Sequence, residues 1–409
     1  MAVVKPFSAY RPRTDIVDKV AALPYDVYNR KEAKEVVLGN PLSFLRIDRA
    51  ETAFDDDMDM YSPEVYAKAK ELLDGMIKDG EYIKEKKPVY YIYELVMDGR
   101  HQTGIVACAS IDDYISGVIK KHENTREEKE LDRITHVDVC DAHTGPIFLA
   151  YRAKEKIDSI VDRVKKEKPE YSFVSEDGIG HTVWIIEDDK DILDIQKAFE
   201  EMSDIYIADG HHRAASAVKV GIKRREANPA ASYRESDYFL SVLFPHNQLK
   251  ILPYNRVVSD LNGYSEEEFI EKIKEVFIVE EQNDKYLPDE KCTFGMYLSG
   301  KWYKLTAKDE IKSSDPVEGL DVSILQNNLL KPVLGIDDPR TDKRIDFVGG
   351  IRGLDELEKR ANSDMRIAFS MYPTSIDELF SVADAKMLMP PKSTWFEPKL
   401  RSGIFIHKL

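Results

Sequence analysis

Between Tyr206 and Arg213 the chain reads Tyr-Ile-Ala-Asp-Gly-His-His-Arg. A carboxylate, two imidazoles and a guanidinium thus stand between Asp209 and Arg213. The β-forming run Asp204–Ala208 leads into the Asp209-Gly210 turn pair, and the small residues after Arg213 continue as a helix that begins at His211. Strand, tight turn and helix start aim backbone N–H groups and a positive helix end at one spot. Asp209, Gly210, His211 and Arg213 are therefore candidates for holding a phosphate or nucleotide. His212 is a catalytic candidate, placed to neutralise charge as a phosphoryl group moves. The competing reading is structural: Asp-Gly is a common turn, Asp a common N-cap, and a lone Arg in a first turn is commonly solvated. Adjacent histidines on a helix diverge, so this pair is not a metal grip.

Three further segments carry chemistry. In Met389-Pro-Pro-Lys-Ser-Thr-Trp-Phe-Glu-Pro-Lys399, two prolines fix the path of a loop in which Lys392 stands beside the hydroxyls of Ser393 and Thr394. An ammonium with two hydroxyls suits phosphate oxygens, although a plain surface turn also fits, and no glycine-rich loop precedes the lysine. The run Lys121-His-Glu-Asn-Thr-Arg126 supplies Glu123 as a general base, Thr125 and His122 as substrate contacts, and His122 or Arg126 as an anion holder. Its bland reading is a charged helix start capped by Asn124 or Thr125. Asp26 and Asn40 read as turn residues, and Arg46 and Glu51 as an exposed ion pair around a strand. The chain contains no GxSxG, HExxH or GxGxxG, and no structural metal is expected.

Composition narrows the function classes. The chain has 409 residues, a formal net charge of −16 and 33% charged residues, which argues against broad binding to nucleic acid or anionic membranes. A small anionic metabolite or a nucleotide is the expected partner. Cys108, Cys140 and Cys292 form no CxxC pair and read as thiols of a reducing compartment. The first residues lack the apolar core of a signal peptide, and no apolar run reaches the ~20 residues of a membrane span. A cytoplasmic protein is expected.

The elements that must position these residues alternate along the chain. Helices are expected at Arg30–Leu38, Ser62–Asp79, Lys154–Lys166, Asp191–Met202 and Ser265–Val276. Hairpins are expected at Val89–Ile111, about Asp177-Gly178, and at Thr293–Leu305. Ser43–Asp48, Pro146–Tyr151 and Gly403–His407 read as strands. The fold class is α+β, with mixed, largely antiparallel sheets and flanking helices.

Taken together, Pro24-Tyr-Asp-Val, Asn40-Pro-Leu-Ser-Phe-Leu-Arg46, His122-Glu-Asn-Thr, Ala208-Asp-Gly-His-His-Arg and Met389-Pro-Pro-Lys-Ser-Thr resemble the Domain of Unknown Function 1015 family over almost the whole chain. The resemblance implies one family-spanning unit, 1–409, or two subdomains of about 1–200 and 201–409. It also brings Asp26, Asn40 and Arg46 in as substrate-binding candidates. Gly210-His-His-Arg213 is more distantly similar to the Gly-x-x-Arg phosphate turn of the ParB and sulfiredoxin superfamily, which includes the free serine kinases. That similarity implies a ParB-like element around residues 204–220. It further implies ATP or ADP with Mg²⁺ and phosphotransfer between a nucleotide and a small hydroxylated metabolite, serine or O-phosphoserine being favoured. Glu123 is the first choice for the carboxylate that takes the hydroxyl proton and Glu51 the second, with Lys392, Ser393 and Thr394 on a second phosphate or the substrate. The alternatives are a ParB-type nucleotide-binding regulator without turnover and a nucleotide-independent phosphoserine hydrolase.

Overall fold

The computed structural model describes residues 1–125 and 127–409. Arg126, one of the two anion holders suggested above, lies outside the described residues. The chain forms two compact units, Met1–Leu249 with Pro398–Leu409, and Lys250–Glu397.

Among the described residues the first unit is built on a nine-stranded sheet. Its order is Ile119–Lys120, Ile205–Asp209, Ile147–Tyr151, Tyr238–Pro245, Arg100–Ser110, Tyr90–Met97, Gly180–Ile186, Tyr171–Val174, with Val4–Lys5 paired to Arg100–Ser110. The hairpin Tyr90–Met97 and Arg100–Ser110 turns at Asp98-Gly99, where the sequence places it. Ile147–Tyr151 runs parallel to Tyr238–Pro245, and Ile119–Lys120 parallel to Ile205–Asp209; the remaining pairs are antiparallel. The sheet is thus mixed and largely antiparallel, as expected. One core gathers Ile92, Ile105, Leu149, Ile207 and Leu243 from the sheet with Ile157, Ile160, Ile195 and Phe199 from helices Glu155–Val164 and Asp189–Glu200. A second gathers Phe44, Leu45, Ile47 and Tyr82 with Val65, Ala69, Leu73 and Met76 of helix Pro63–Lys78.

Two strands read from the sequence are something else. Leu45–Asp48 is a helical turn, followed by a tighter one at Ala50–Ala53. A strand would send Leu45 and Ile47 to one face and Phe44, Arg46 and Asp48 to the other. Instead Phe44, Leu45 and Ile47 are all fully buried, and the Ser43 hydroxyl accepts from the Leu45 N–H at 3.3 Å, turning the backbone into the helix. The exposed pair Arg46–Glu51 is also corrected. Glu51 is buried, and its partner is Arg49, at 2.6 Å. The Gly403–His407 strand is interrupted: Gly403 has φ +83°, and only His407–Lys408 forms a ladder, with Ala142–His143. A Cβ on Gly403 would lie 2.5 Å from the Phe44 ring.

In the second unit six strands form an antiparallel sheet in the order Phe277–Gln282, Lys301–Ala307, Thr293–Leu298, Ile367–Met371, Tyr254–Val258, Ile345–Gly349. Val257, Tyr297, Trp302, Val348 and Ala368 pack with Leu357 and Ala361 of helix Gly353–Ala361.

Candidate functional site

The Asp209-Gly-His-His-Arg213 string lies at a strand end and a helix start, as its local pattern requires. Strand Ile205–Asp209 shifts register against Ile147–Tyr151 between Ile207 and Asp209. Such a bulge re-aims the side chains beyond it. Gly210 then takes φ +94°, and helix His211–Ala227 begins with no side chain capping it. The first-turn amides and the positive end of a 17-residue helix lie just beyond the end of strand Ile205–Asp209. Arg213 folds back over this turn and donates from Nη1 to the Pro146 carbonyl. A Cβ built on Gly210 would stand 3.1 Å from Arg213 Nη2 and 3.2 Å from its Cζ. Glycine is therefore favoured by the backbone conformation, and a Cβ would also make the guanidinium give way by a few tenths of an ångström. Gly210→Ala is expected to cost about 1–2 kcal/mol in chemical unfolding through the left-handed backbone alone, and to displace Arg213 as well.

Asp209 faces Lys399, with Oδ2 2.9 Å from Nζ. Burial raises the Asp209 pKa, but Lys399 and Arg213 outweigh it and hold the carboxyl well below its usual range. The aspartate thus holds Lys399 by a direct ion pair and attracts Arg213 through its charge. It is an anchor for the cationic side of the site.

His211 is buried, and its Nε2 accepts the His122 backbone N–H at 3.4 Å. The ring hydrogen is then on Nδ1, which lies 3.7 Å from Glu123 Oε2. The fully buried His122 ring stands edge-on to His211, with centroids 4.5 Å apart and planes at 86°. Burial pushes His211 down to about 4, with His212 and Lys121 adding to the effect and Asp209 opposing it. Burial and the neighbouring His211 push His122 down to about 3. Both rings are neutral at pH 7. His212 is half-buried and also lowered, by burial and by Lys129, against the pull of Glu123, Asp26 and Glu130.

Arg213 lines the smaller of two adjoining cavities. The larger, about 190 Å³, is lined by Tyr25, Asp26, Arg49, Glu51, Tyr66 and Arg133 among others. The smaller, about 30 Å³, is lined by Arg213, His143, Gly145 and Ser402. Both share Tyr25, Asp48, Arg133 and His136. Arg133 is buried with its guanidinium 3.9 Å over the Tyr25 ring, and pairs with Asp132 at 2.8 Å. Burial raises the Tyr25 hydroxyl to about 12, with Arg133 opposing. Arg49 donates to the carbonyls of Tyr25 (3.0 Å) and Tyr28 (2.6 Å), clamping the Pro24-Tyr-Asp-Val turn onto the cavity.

The candidates from sequence divide by location. Asp209, Gly210, His211, His212 and Arg213 share the helix start, His122 and Glu123 meet His211, and Asp26 lines the larger cavity. The Thr125 hydroxyl donates to Glu130 at 2.7 Å, and Glu130 pairs with Lys219 of the same helix His211–Ala227. Asn40 holds a turn, donating to the Lys19 carbonyl at 2.7 Å and accepting from the Leu42 N–H at 3.2 Å. Arg46 and Asn40 line neither cavity. Lys392, Ser393 and Thr394 belong to the second unit. There Lys392 Nζ lies 5.1 Å from the Tyr254 ring centroid, and the Ser393 hydroxyl donates to Pro390 O at 2.7 Å. Of the two lysines in that segment, it is Lys399 that meets Asp209. Sequence reasoning passed over Arg133 and His136, yet their three-residue spacing on helix Glu127–Cys140 could have marked one face.

The buried neutral histidines set a pH dependence. His122, His181 and His211 have folded values near 3, 3 and 4, lowered chiefly by burial, against an ordinary 6.5. Because the folded values are the lower ones, the unfolded chain takes up the protons first. The stability is complete above about 6.5 and is lost as pH falls toward the folded values, at up to about 1.4 kcal/mol per pH unit for each group. Urea unfolding at pH 7.5 and 5.5 should show this loss; equal stability at the two would contradict the buried neutral assignment.

Among the described residues no group of three or more His, Cys, Asp or Glu is arranged to hold a metal ion. Nor is any described helix long and apolar enough to cross a membrane. The chain belongs to the family described as protein of unknown function, DUF1015, whose model matches residues 4–323. No curated protein matches it. Solved structures similar to the chain include free serine kinase in complex with AMP, at 13% identity and TM-score 0.35, covering 73% of this chain and 91% of the other. A conserved hypothetical protein from Pyrococcus furiosus is similar at 14% identity and TM-score 0.34, covering 74% and 94%. SbnI with a C-terminal truncation, from Staphylococcus aureus, is similar at 9% identity and TM-score 0.38, covering 73% and 85%.

Proposed function

We propose that this protein transfers a phosphoryl group between a nucleotide and a small hydroxylated metabolite, with serine and O-phosphoserine the favoured pair. The observation that carries the reading is the uncapped start of helix His211–Ala227, with Arg213 folded over Gly210. First-turn amides, a helix dipole and a guanidinium converge there, the ingredients of a phosphate site. The resemblance of Gly210-His-His-Arg213 to a phosphate turn supports the same assignment.

In this reading Arg213 and the His211 and His212 amides hold a phosphate, while Lys399 and Asp209 keep the guanidinium side rigid. Glu123 takes the proton of the substrate hydroxyl, oriented by the Nδ1–H of neutral His211. His212 offsets charge on the transferring group. Phosphoryl transfer needs positioning and charge neutralisation more than a covalent nucleophile. Mg²⁺ would arrive with the nucleotide. The free thiols Cys108, Cys140 and Cys292 support a cytoplasmic setting.

Incubation with O-phosphoserine, with and without ADP and Mg²⁺, tests the proposal. Serine and ATP formed only when ADP is present is the expected result. Serine formed without ADP would replace the kinase by a hydrolase. Nucleotide binding without any turnover would replace it by a nucleotide-gated regulator.

A further inference from the structure

His143 and His407 face each other as partners in the short ladder Ala142–His143 with His407–Lys408. Both are buried, their Nδ1 atoms are 3.3 Å apart, and their ring centroids are 5.5 Å apart. On its other side His407 Nε2 lies 3.0 Å from Glu235 Oε2. Glu235 is 46% exposed, so the chain of three side chains runs from the surface into the interior. His143 Nε2 is buried and has no hydrogen-bond partner among the described residues. His143 also lines the small cavity shared with Arg213, Arg133 and Ser402.

With both rings neutral, the partners along this chain set the hydrogen placement. A carboxylate accepts and cannot donate, so His407 carries hydrogen on Nε2. In neutral His407 the Nδ1 is then a bare acceptor, and the facing Nδ1 of His143 must be the donor. His143 Nε2 is left without hydrogen. The His407 hydrogen bond holds Glu235 below the usual carboxylate range, although burial raises it, with Tyr233 and Lys5 adding to the lowering. Burial, His407 and Arg224 keep His143 from charging on its own.

We infer that Glu235, His407 and His143 form a buried relay that leaves a bare imidazole nitrogen, His143 Nε2, as a proton acceptor within the wall of the cavity beside Arg213. A water in that cavity gives its proton to Nε2, while Glu123 remains the acceptor for the reacting hydroxyl. The Nδ1 hydrogen of His143 passes to His407 Nδ1, and the resulting imidazolium stands against the Glu235 carboxylate. One proton enters and one is held, with no change in the number of electrons. The cavity is large enough for a water, and it adjoins the larger one through Tyr25, Asp48, Arg133 and His136. The ligand class this favours is an anion that also carries a hydroxyl: cations grip the anionic group, and the bare nitrogen accepts a hydrogen bond from a water or from a hydroxyl other than the one that reacts. The hydrogen placement stands independently of the phosphotransfer reading; the use of the proton rests on that reading.

Neutron diffraction from the deuterated full chain at pD about 8, where an ordinary imidazole is neutral, reads the relay directly. Deuterium on His143 Nδ1 and His407 Nε2, with none on His143 Nε2, is expected. Deuterium on His143 Nε2 would overturn the assignment. Glu235→Gln tests its use, because the amide oxygen still accepts from His407 but cannot stabilise an imidazolium. Turnover of O-phosphoserine with ADP and Mg²⁺ should fall by at least about tenfold with KM retained. Full kcat in that variant would remove the relay from the reaction. An inactive wild-type protein would sink the phosphotransfer reading, while the neutron result would still decide the relay.

Discussion

Arg213→Ala is expected to weaken binding of inorganic phosphate or nucleotide by about 1.5–3 kcal/mol, or roughly 10- to 150-fold, the range of a charge-assisted contact. The guanidinium stacks over Gly210 and donates to the Pro146 carbonyl, so it is held before any ligand arrives. A preorganised donor loses little entropy on binding, which places the effect toward the upper part of that range. The fold should survive, because Asp209 keeps its partner Lys399 and the core around Ile207 is untouched. Calorimetric titration with thermal unfolding as the control separates the two effects. Equal affinity in wild type and variant would remove the phosphate assignment. Arg213→Lys should recover charge without the planar fork, and so restore only part of the affinity.

The second large effect is on turnover. With Glu123 as the acceptor of the hydroxyl proton, Glu123→Gln should lower kcat by about 10²–10⁴-fold and leave phosphate affinity unchanged. His211 Nδ1–H, 3.7 Å from Glu123 Oε2, would still meet the amide oxygen, so the local geometry is preserved. Undiminished turnover would transfer the base role elsewhere. His143 at the end of the Glu235 relay is then the residue to test, and His143→Gln is the corresponding variant. A fall in affinity with kcat intact would instead make Glu123 a binding residue.

The parts of this molecule that were legible in the sequence are those encoded over a few residues. Asp98-Gly99 between alternating apolar runs specifies a hairpin, and the structure has it. Ile205–Asp209, Gly210 and a helix rich in alanine form in succession, because β-branched spacing, a turn glycine and small helix formers act locally. Ser43–Asp48 reads as a strand but folds as a helical turn, because a short apolar run carries no decisive period. The bond from the Leu45 N–H to the Ser43 hydroxyl and burial of Phe44, Leu45 and Ile47 in the core with helix Pro63–Lys78 decide it. Both sequence-level and structural views agree on an α+β fold with mixed sheets, since alternating strand and helix periods suffice to show it.

By itself the sequence determined the strand, the left-handed glycine turn and the uncapped helix start that bring Asp209, His211 and Arg213 to one place. Tertiary structure alone decided what surrounds them. Lys399 reaches Asp209 across 190 positions, and His407 reaches His143 across 264. It is also tertiary structure that lays Arg133 on Tyr25 at the cavity wall. Turns and helix starts follow from steric and hydrogen-bonding preferences of neighbouring residues. Contacts so distant in the chain exist only because burial of the shared core offsets the entropy of closing such long loops.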